Sequence, residues 1–255
     1  MSEDTPMYNF PVVHAVTDNA ALARADFLER AASIMRALRS RGAVHLRSST
    51  ASGRRFHDLA VRLAELQNET GCWLIVNDRA DVGAAVGAKG VQLASHSLTI
   101  SDALTAAPGM RVGSSIHSVE EAQRAEDAGA SWCVAGTVFE TPSHPDATLG
   151  RIGFIEKVAS SVRIPVIAIG GIEPSDVPAL RRAGAHGIAT IRGAGWDRGE
   201  PFLDDDPMRH TTLFAIPTAV SVEPVTRYIS AYDSSTGSGQ NDHPDGERRS
   251  EGAGA

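Results

Sequence analysis

The run Val166-Ile167-Ala168-Ile169-Gly170-Gly171-Ile172 ends an apolar, β-branched stretch in two glycines, and Ile188-Ala189-Thr190-Ile191-Arg192-Gly193 ends the next such stretch in a similar turn. Glycines placed after a strand expose backbone N–H groups near a helix start, where aligned peptide dipoles favour an anion. Gly170, Gly171, Ile191, Arg192 and Gly193 are therefore candidate phosphate-binding residues. The competing explanation is that the glycines only relieve crowding in a tight turn. Two such loops in succession, closing a series of similar units, favour the phosphate.

Other polar residues follow apolar runs in the same way. They are Thr17-Asp18, His45 with Arg47, Asn77-Asp78-Arg79, Gln92, Ser115 with His117, and Thr137 through Thr141. Strand side chains alternate between faces, so Ala43, His45 and Arg47 share one face and Val44 and Leu46 the other. An imidazole and a guanidinium then point the same way, a pair suited to an anionic ligand. His14 reads as structural and His117 as a hydrogen-bonding loop residue. No two histidines have helical metal-ligand spacing.

The elements that must position these groups are eight short apolar runs, each followed by a stretch with helical periodicity. The strands are expected over Val12 to Thr17, Ala43 to Arg47, Trp73 to Val76, Gly90 to Leu93, Val112 to Ser115, Trp132 to Gly136, Pro165 to Ile169 and Gly187 to Ile191. Amphipathic helices are expected over stretches such as Asp26 to Arg39, Arg54 to Glu69, Val119 to Ala128, Gly153 to Ser160 and Ser175 to Ala183. Strict β–α alternation demands a parallel sheet. Eight units predict an α/β fold, a single closed (β/α)8 TIM barrel, in preference to an open doubly wound sheet, because no GxGxxG follows the first strand. Active sites of such barrels form at the carboxyl ends of the strands, where the polar residues above fall. The motif GAxG, at Gly87 and Gly184, reads as a helix C-cap feeding a strand.

The domain boundaries follow. Residues 1–11 read as an N-terminal extension and 12–232 as the barrel, with an irregular segment at about 196–218 and a closing helix over Val222 to Tyr232. Residues 233–255, rich in Ser, Gly, Asp and Glu, read as a disordered acidic tail.

The chain has 255 residues, 42% of them hydrophobic, with a net charge of −7. Much of the negative charge lies in Asp197 to Asp206 and beyond Asp233, leaving the body near neutral and able to accept an anionic small molecule. The balance argues against nucleic acid as a partner. No apolar stretch approaches the length of a membrane span, and the acidic N-terminus lacks a secretory pattern, so no membrane is expected and the cytoplasm is the default location. Cys72 and Cys133 read as core residues.

Taken in order, Val13-His14-Ala15-Val16-Thr17-Asp18, Val44-His45-Leu46-Arg47, Leu74-Ile75-Val76-Asn77-Asp78-Arg79, Gly90-Val91-Gln92-Leu93, Gly113-Ser114-Ser115-Ile116-His117-Ser118, Gly136-Thr137-Val138-Phe139-Glu140-Thr141 and Ile167-Ala168-Ile169-Gly170-Gly171-Ile172 resemble the ThiE/TenI superfamily of thiamin-biosynthesis barrels. The resemblance extends from about Val12 to Trp196. It implies a small-molecule thiazole phosphate as ligand, a homo-oligomer, and one of two activities.

A synthase expels pyrophosphate from a pyrimidine diphosphate and neutralises it with Mg²⁺ and fixed cations. Against the synthase pattern, a lysine is replaced by Ser49, a second magnesium carboxylate by Ser97, and another lysine by His144. Asp78 is then the remaining metal ligand, and only if the synthase reading holds. The other activity, TenI-like tautomerisation of a thiazole carboxylate phosphate, needs a phosphate anchor, a proton carrier and no cofactor. Its usual histidine is Thr137 here, so His45 and His144 become the candidate catalytic residues. Arg47, Asn77, Asp78, Ser115, Thr141 and Ser143 become the candidate substrate-binding residues. The missing charges favour the tautomerase, with the Mg²⁺-dependent synthase as the alternative and a non-catalytic thiazole-phosphate-binding regulator as a third expectation.

Overall fold

The structure, a computed structural model, describes residues 10–140, 151–196 and 221–235. Eight parallel strands close on one another in chain order: β1 Val13–Val16, β2 Gly42–Leu46, β3 Trp73–Asn77, β4 Gly90–Leu93, β5 Arg111–Ile116, β6 Trp132–Ala135, β7 Val166–Ile169 and β8 Gly187–Thr190. Closure is direct, since Val13 of β1 lies opposite Gly42 of β2 on one side and Ile188 of β8 on the other. The expected TIM barrel is present.

The surrounding helices are α1 Asn19–Ala23, α2 Phe27–Leu38, α3 Gly53–Thr70, α4 Ala80–Val86, α5 Ile100–Ala106, α6 Val119–Asp127, α7 Arg151–Ser161, α8 Val177–Arg182 and α9 Glu223–Ser234. Local chemistry sets their ends. The side chains of Asp18, Ser52, Thr99 and Ser118 accept backbone N–H bonds at the starts of α1, α3, α5 and α6, satisfying donors that a helix leaves unpaired. Gly87 ends α4 at φ +68, as the GAxG motif predicts. The helix expected over Ser175 to Ala183 is divided into a 3₁₀ turn, Pro174–Asp176, and α8. Pro178 lies in the first turn of α8, where its missing N–H costs nothing.

Strand alternation sorts the core into two layers. Val44, Leu46, Leu74 and Val76 face the helices, whereas Ala43, Trp73, Ile75, Trp132, Val134 and Ile167 fill the barrel interior. Gly113 makes room for this filling, because a Cβ there would collide with the Trp132 indole. The fully buried Trp132 ring can therefore lie across the barrel beneath its carboxyl-end mouth. At the other end Phe10 packs edge-on to Trp73 at 5.3 Å between ring centres.

Helix α9 packs on β1, α2 and α8, burying Val225 and Tyr228. It runs past the boundary expected at Tyr232: Asp233 pairs with Arg41 at 2.7 Å, and the Ser235 hydroxyl accepts from Arg181 at 2.8 Å. The expected start of the tail at Asp233 is corrected, because Asp233 and Ser234 belong to this helix. Most of the expected N-terminal extension, nearly all of the irregular segment and the tail from 236 onward lie outside the described residues.

Candidate active site

The carboxyl ends of the strands surround a cavity of about 1110 Å³. On the β7–β8 side its wall is mostly main chain. Gly170 and Gly171 sit at φ +108 and +62, conformations that glycine takes without a Cβ penalty. Space demands glycine as well, since a Cβ on Gly171 would collide with the Glu140 carbonyl oxygen. In the following loop the Gly193 N–H donates to Thr190 Oγ1 at 3.1 Å, and a Cβ on Gly193 would strike the Tyr228 hydroxyl. That hydroxyl donates to the Ile172 carbonyl at 2.8 Å. Tyr228 of α9 thus wedges between the two glycine loops and fixes their spacing, and burial pushes its phenol pKa up.

The opposite side is built from side chains. Thr17 Oγ1 accepts the Arg47 N–H at 2.8 Å and donates to the Arg47 carbonyl at 2.9 Å, so the loops after β1 and β2 are stitched together. Asn19 extends the stitch. Its Nδ2 donates to Ser49 Oγ at 2.9 Å and its Oδ1 accepts the Ser49 N–H at 3.0 Å. After β3, Asp78 adopts φ +63, and its Oδ1 accepts both the Ala94 N–H at 2.9 Å and the Ser97 hydroxyl. This carboxylate therefore ties the β3 loop to the β4 loop.

Two buried chains of hydrogen bonds rise from the barrel interior to the cavity. In one, Trp132 Nε1–H donates to Gln92 Oε1 at 2.7 Å and Gln92 Nε2–H donates to Ser115 Oγ at 3.1 Å. The indole can only donate, which fixes the orientation of the Gln92 amide. In the other, His14 Nδ1 and His45 Nε2 are 2.8 Å apart, and His14 Nε2 reaches the Pro11 carbonyl at 3.1 Å. Burial lowers the pKa of both rings and brings His45 to about 4. Near neutral pH His45 is therefore an uncharged imidazole, and the ordinary titration expected of a proton carrier does not hold for it. Asn77 forms a side-chain hydrogen bond with His45, and its Oδ1 is buried without a partner. His117 donates from Nδ1 to the Gly136 carbonyl at 2.7 Å, as expected of a loop residue.

The cavity wall brings together His45, Arg47, Asn77, Ser115, Gly170, Gly171, Ile191, Arg192 and Gly193. Asp78 is exposed beside Asn77 and is not among the lining residues. Thr141, Ser143 and His144 lie outside the described residues. The sequence reading missed Arg227 and Tyr228, which α9 adds to the wall. Their signal was weak, because the closing helix stands apart from the βα repeat and its site-facing positions cannot be told from core positions by period alone. Among the described residues no group of three His, Cys, Asp or Glu could hold a metal ion by itself. Nor, among them, is any helix long and apolar enough to cross a membrane.

A family profile described as thiamine monophosphate synthase matches residues 13–194. The chain belongs to this family. Thiamine-phosphate synthase of Pyrococcus furiosus is 38% identical over 149 residues, 58% of this chain and 72% of the relative. The synthase of Caldanaerobacter subterraneus is 36% identical over 152 residues, 59% of this chain and 71% of the relative. A solved structure described as thiamine phosphate pyrophosphorylase from Pyrococcus furiosus superposes with a TM-score of 0.70 at 29% identity, covering 90% of this chain and 98% of that one. A 3-hexulose-6-phosphate synthase, at TM-score 0.56 and 17% identity, shares the fold alone.

These relatives overturn the expectation of a tautomerase, since they carry the synthase name and none of them supports an isomerase. Ser49, where a lysine was missed, is hydrogen-bonded to Asn19 and is not part of the cavity wall. The wall meanwhile includes Arg227 of α9, a cation that the sequence reading did not count. The wall thus carries Arg47, Arg192 and Arg227 together with Glu140 and Glu173.

Proposed function

We propose that this barrel is a thiamine-phosphate synthase, joining a pyrimidine diphosphate to a thiazole phosphate with release of pyrophosphate. The observation that carries this reading is the similarity to relatives named thiamine-phosphate synthase over 72% of their length. In the reaction the bond from the pyrimidine methylene carbon to the diphosphate oxygen breaks. The thiazole ring nitrogen supplies the electron pair for the new C–N bond.

The β7–β8 loops hold the thiazole phosphate through main-chain N–H groups near Gly170, Gly171, Ile191 and Arg192, where no side chain intervenes. Gly193 gives close approach, its own N–H being engaged with Thr190. Arg47, on the opposite rim, is the cation for the diphosphate. His45, Asn77 and Ser115 line the wall between these two ends and orient the pyrimidine as neutral hydrogen-bonding groups. Thr141, Ser143 and His144 are proposed to contribute hydroxyls and an imidazole from the β6 loop.

Mg²⁺ commonly binds through one carboxylate, substrate phosphates and water, and the single carboxylate of Asp78, with Ser97 beside it, fits that arrangement. Bound with the diphosphate, the ion would neutralise charge on the departing pyrophosphate. The chain's own task is positional. Holding the two substrates at opposite ends of one cavity converts their encounter into a near-unimolecular step. The test is incubation of the purified protein with both substrates and Mg²⁺. Thiamine phosphate and pyrophosphate in equal amounts are expected; tight binding of thiazole phosphate with no product would replace the synthase with a non-catalytic binder.

A further inference from the structure

His14 lies in the interior of the barrel, with no exposed surface, one alternation below His45 on the neighbouring strand. Its surroundings are closed. The Phe10 ring lies 5.8 Å from it between ring centres, and the His45 ring 5.1 Å. Neither imidazole nitrogen is left over, because Nε2 faces the Pro11 carbonyl and Nδ1 faces His45 Nε2.

The proton positions follow from what each partner can do. A carbonyl oxygen only accepts, so His14 Nε2 must carry a hydrogen. Burial keeps the His14 ring uncharged, which leaves its Nδ1 as a bare lone pair. Across the 2.8 Å contact that lone pair needs a donor, so His45 Nε2 carries a hydrogen as well. His45 is likewise held uncharged by burial, so its Nδ1 is bare. One main-chain carbonyl at the closed end of the barrel thus sets the protonation pattern of a ring in the cavity wall.

We infer that His14 is a positioning residue that fixes His45 as its Nε2–H tautomer, so that the His45 Nδ1 lone pair is met by the Asn77 amide N–H and Asn77 Oδ1 is left to accept a hydrogen bond from an N–H donor on the bound ligand. Asn77 Oδ1 is buried and has no hydrogen-bond partner, as expected if the amide turns its N–H to His45. An acceptor fixed in this way selects a ligand bearing an amino group and disfavours an analogue with a carbonyl or ether oxygen there, which would set lone pair against lone pair. The assignment of tautomers is independent of the synthase reading. Only the identity of the amino ligand, the pyrimidine diphosphate, rests on it.

The experiment is long-range ¹H–¹⁵N correlation of histidine-labelled protein at neutral pH, on the wild type and on His14→Gln and His14→Phe. Gln can accept through Oε1 and donate through its amide, reproducing the polarity of His14, whereas Phe can do neither. In the wild type and in His14→Gln the His45 pattern should be that of a protonated Nε2 and a bare Nδ1; in His14→Phe it should become a mixture of tautomers. Should His14→Phe fail to fold, the wild-type and His14→Gln spectra still decide the matter. The KM for the aminopyrimidine diphosphate should rise by about tenfold in His14→Phe, the scale of one neutral hydrogen bond, and stay within about threefold of wild type in His14→Gln. A protonated Nδ1 on His45, or a doubly protonated His14, would overturn the inference. The predicted tautomers in a protein that forms no thiamine phosphate would leave it standing and remove the synthase reading instead.

Discussion

The two rims of the cavity are built by different means. The β7–β8 rim is main chain: Gly170, Gly171 and Gly193 are fixed by backbone conformation, by steric contact and by the Tyr228 wedge. The β2–β4 rim is side chain: Arg47 lines the cavity, while Ser49 turns to Asn19 and Ser97 to Asp78. A site made of peptide groups tolerates drift in neighbouring side chains, because its donors belong to every residue type except proline. A site made of side chains changes its chemistry with each substitution. The difference explains why a reading of side-chain charges on the opposite rim suggested the wrong branch of the superfamily, whereas the phosphate proposal for the glycine loops depends on backbone conformation alone.

Gly171→Asp should have the largest effect. The new side chain would enter space held by Glu140 and Phe139, and its charge would oppose the phosphate. A loss of at least about a hundredfold in thiazole phosphate affinity, about 3 kcal/mol, is expected by calorimetry. Unchanged affinity would show that the glycine rim is not the anchor.

Stability against pH addresses the wall between the rims. His45 titrates near 6.5 in the unfolded chain and at about 4 when folded. Its folded-state pKa is depressed, so the unfolded chain binds the proton first. The associated stability is present above about pH 6.5 and is lost as pH falls toward about 4, by up to about 3 kcal/mol. Urea midpoints for wild type and His45→Gln should therefore converge as the pH is lowered, relative to their separation at pH values above 7. A constant separation would mean that His45 is not held neutral.

Ser97→Asp tests the side-chain rim. A second carboxylate beside Asp78 should lower the Mg²⁺ concentration needed for half-maximal turnover by about tenfold, the scale of one added charge contact. No change would place the metal away from the β3 and β4 loops.

Tyr228→Phe removes the hydroxyl's bonds to the Ile172 carbonyl and to Thr190, so a rise of about threefold in the KM for thiazole phosphate is expected, with kcat nearly unchanged. An unaltered KM would mean that the loops hold their spacing without the wedge. The smallest effect is expected from removing residues 236–255, whose composition offers little apolar surface to offset ordering entropy. Truncation after Tyr232 should cost more in melting temperature, since it deletes Asp233 and Ser235, partners of Arg41 and Arg181.

The barrel was legible because alternation acts on every residue. Each apolar run from Val13 to Thr190 is flanked by a longer period, and the structure moves the strand ends by one residue or so. Ala43, His45 and Arg47 were legible as one face for the same reason. The His14–His45 contact was not, because register between strands is a tertiary property and His14 taken alone resembles a core residue. The orientation of Ser49 and the intrusion of α9 were hidden likewise, since a hydrogen bond to Asn19 and packing over β1 depend on loops that periodicity does not describe.

The most direct test of the whole account is a single-turnover reaction with enzyme in excess over pyrimidine diphosphate, at saturating thiazole phosphate and Mg²⁺, quenched and analysed for both products. A synthase whose side-chain rim is altered but whose cavity keeps Arg47 and Arg227 predicts thiamine phosphate and pyrophosphate appearing together, one for one, at the same rate. Pyrophosphate without thiamine phosphate, or neither product while the thiazole phosphate stays bound, would contradict it.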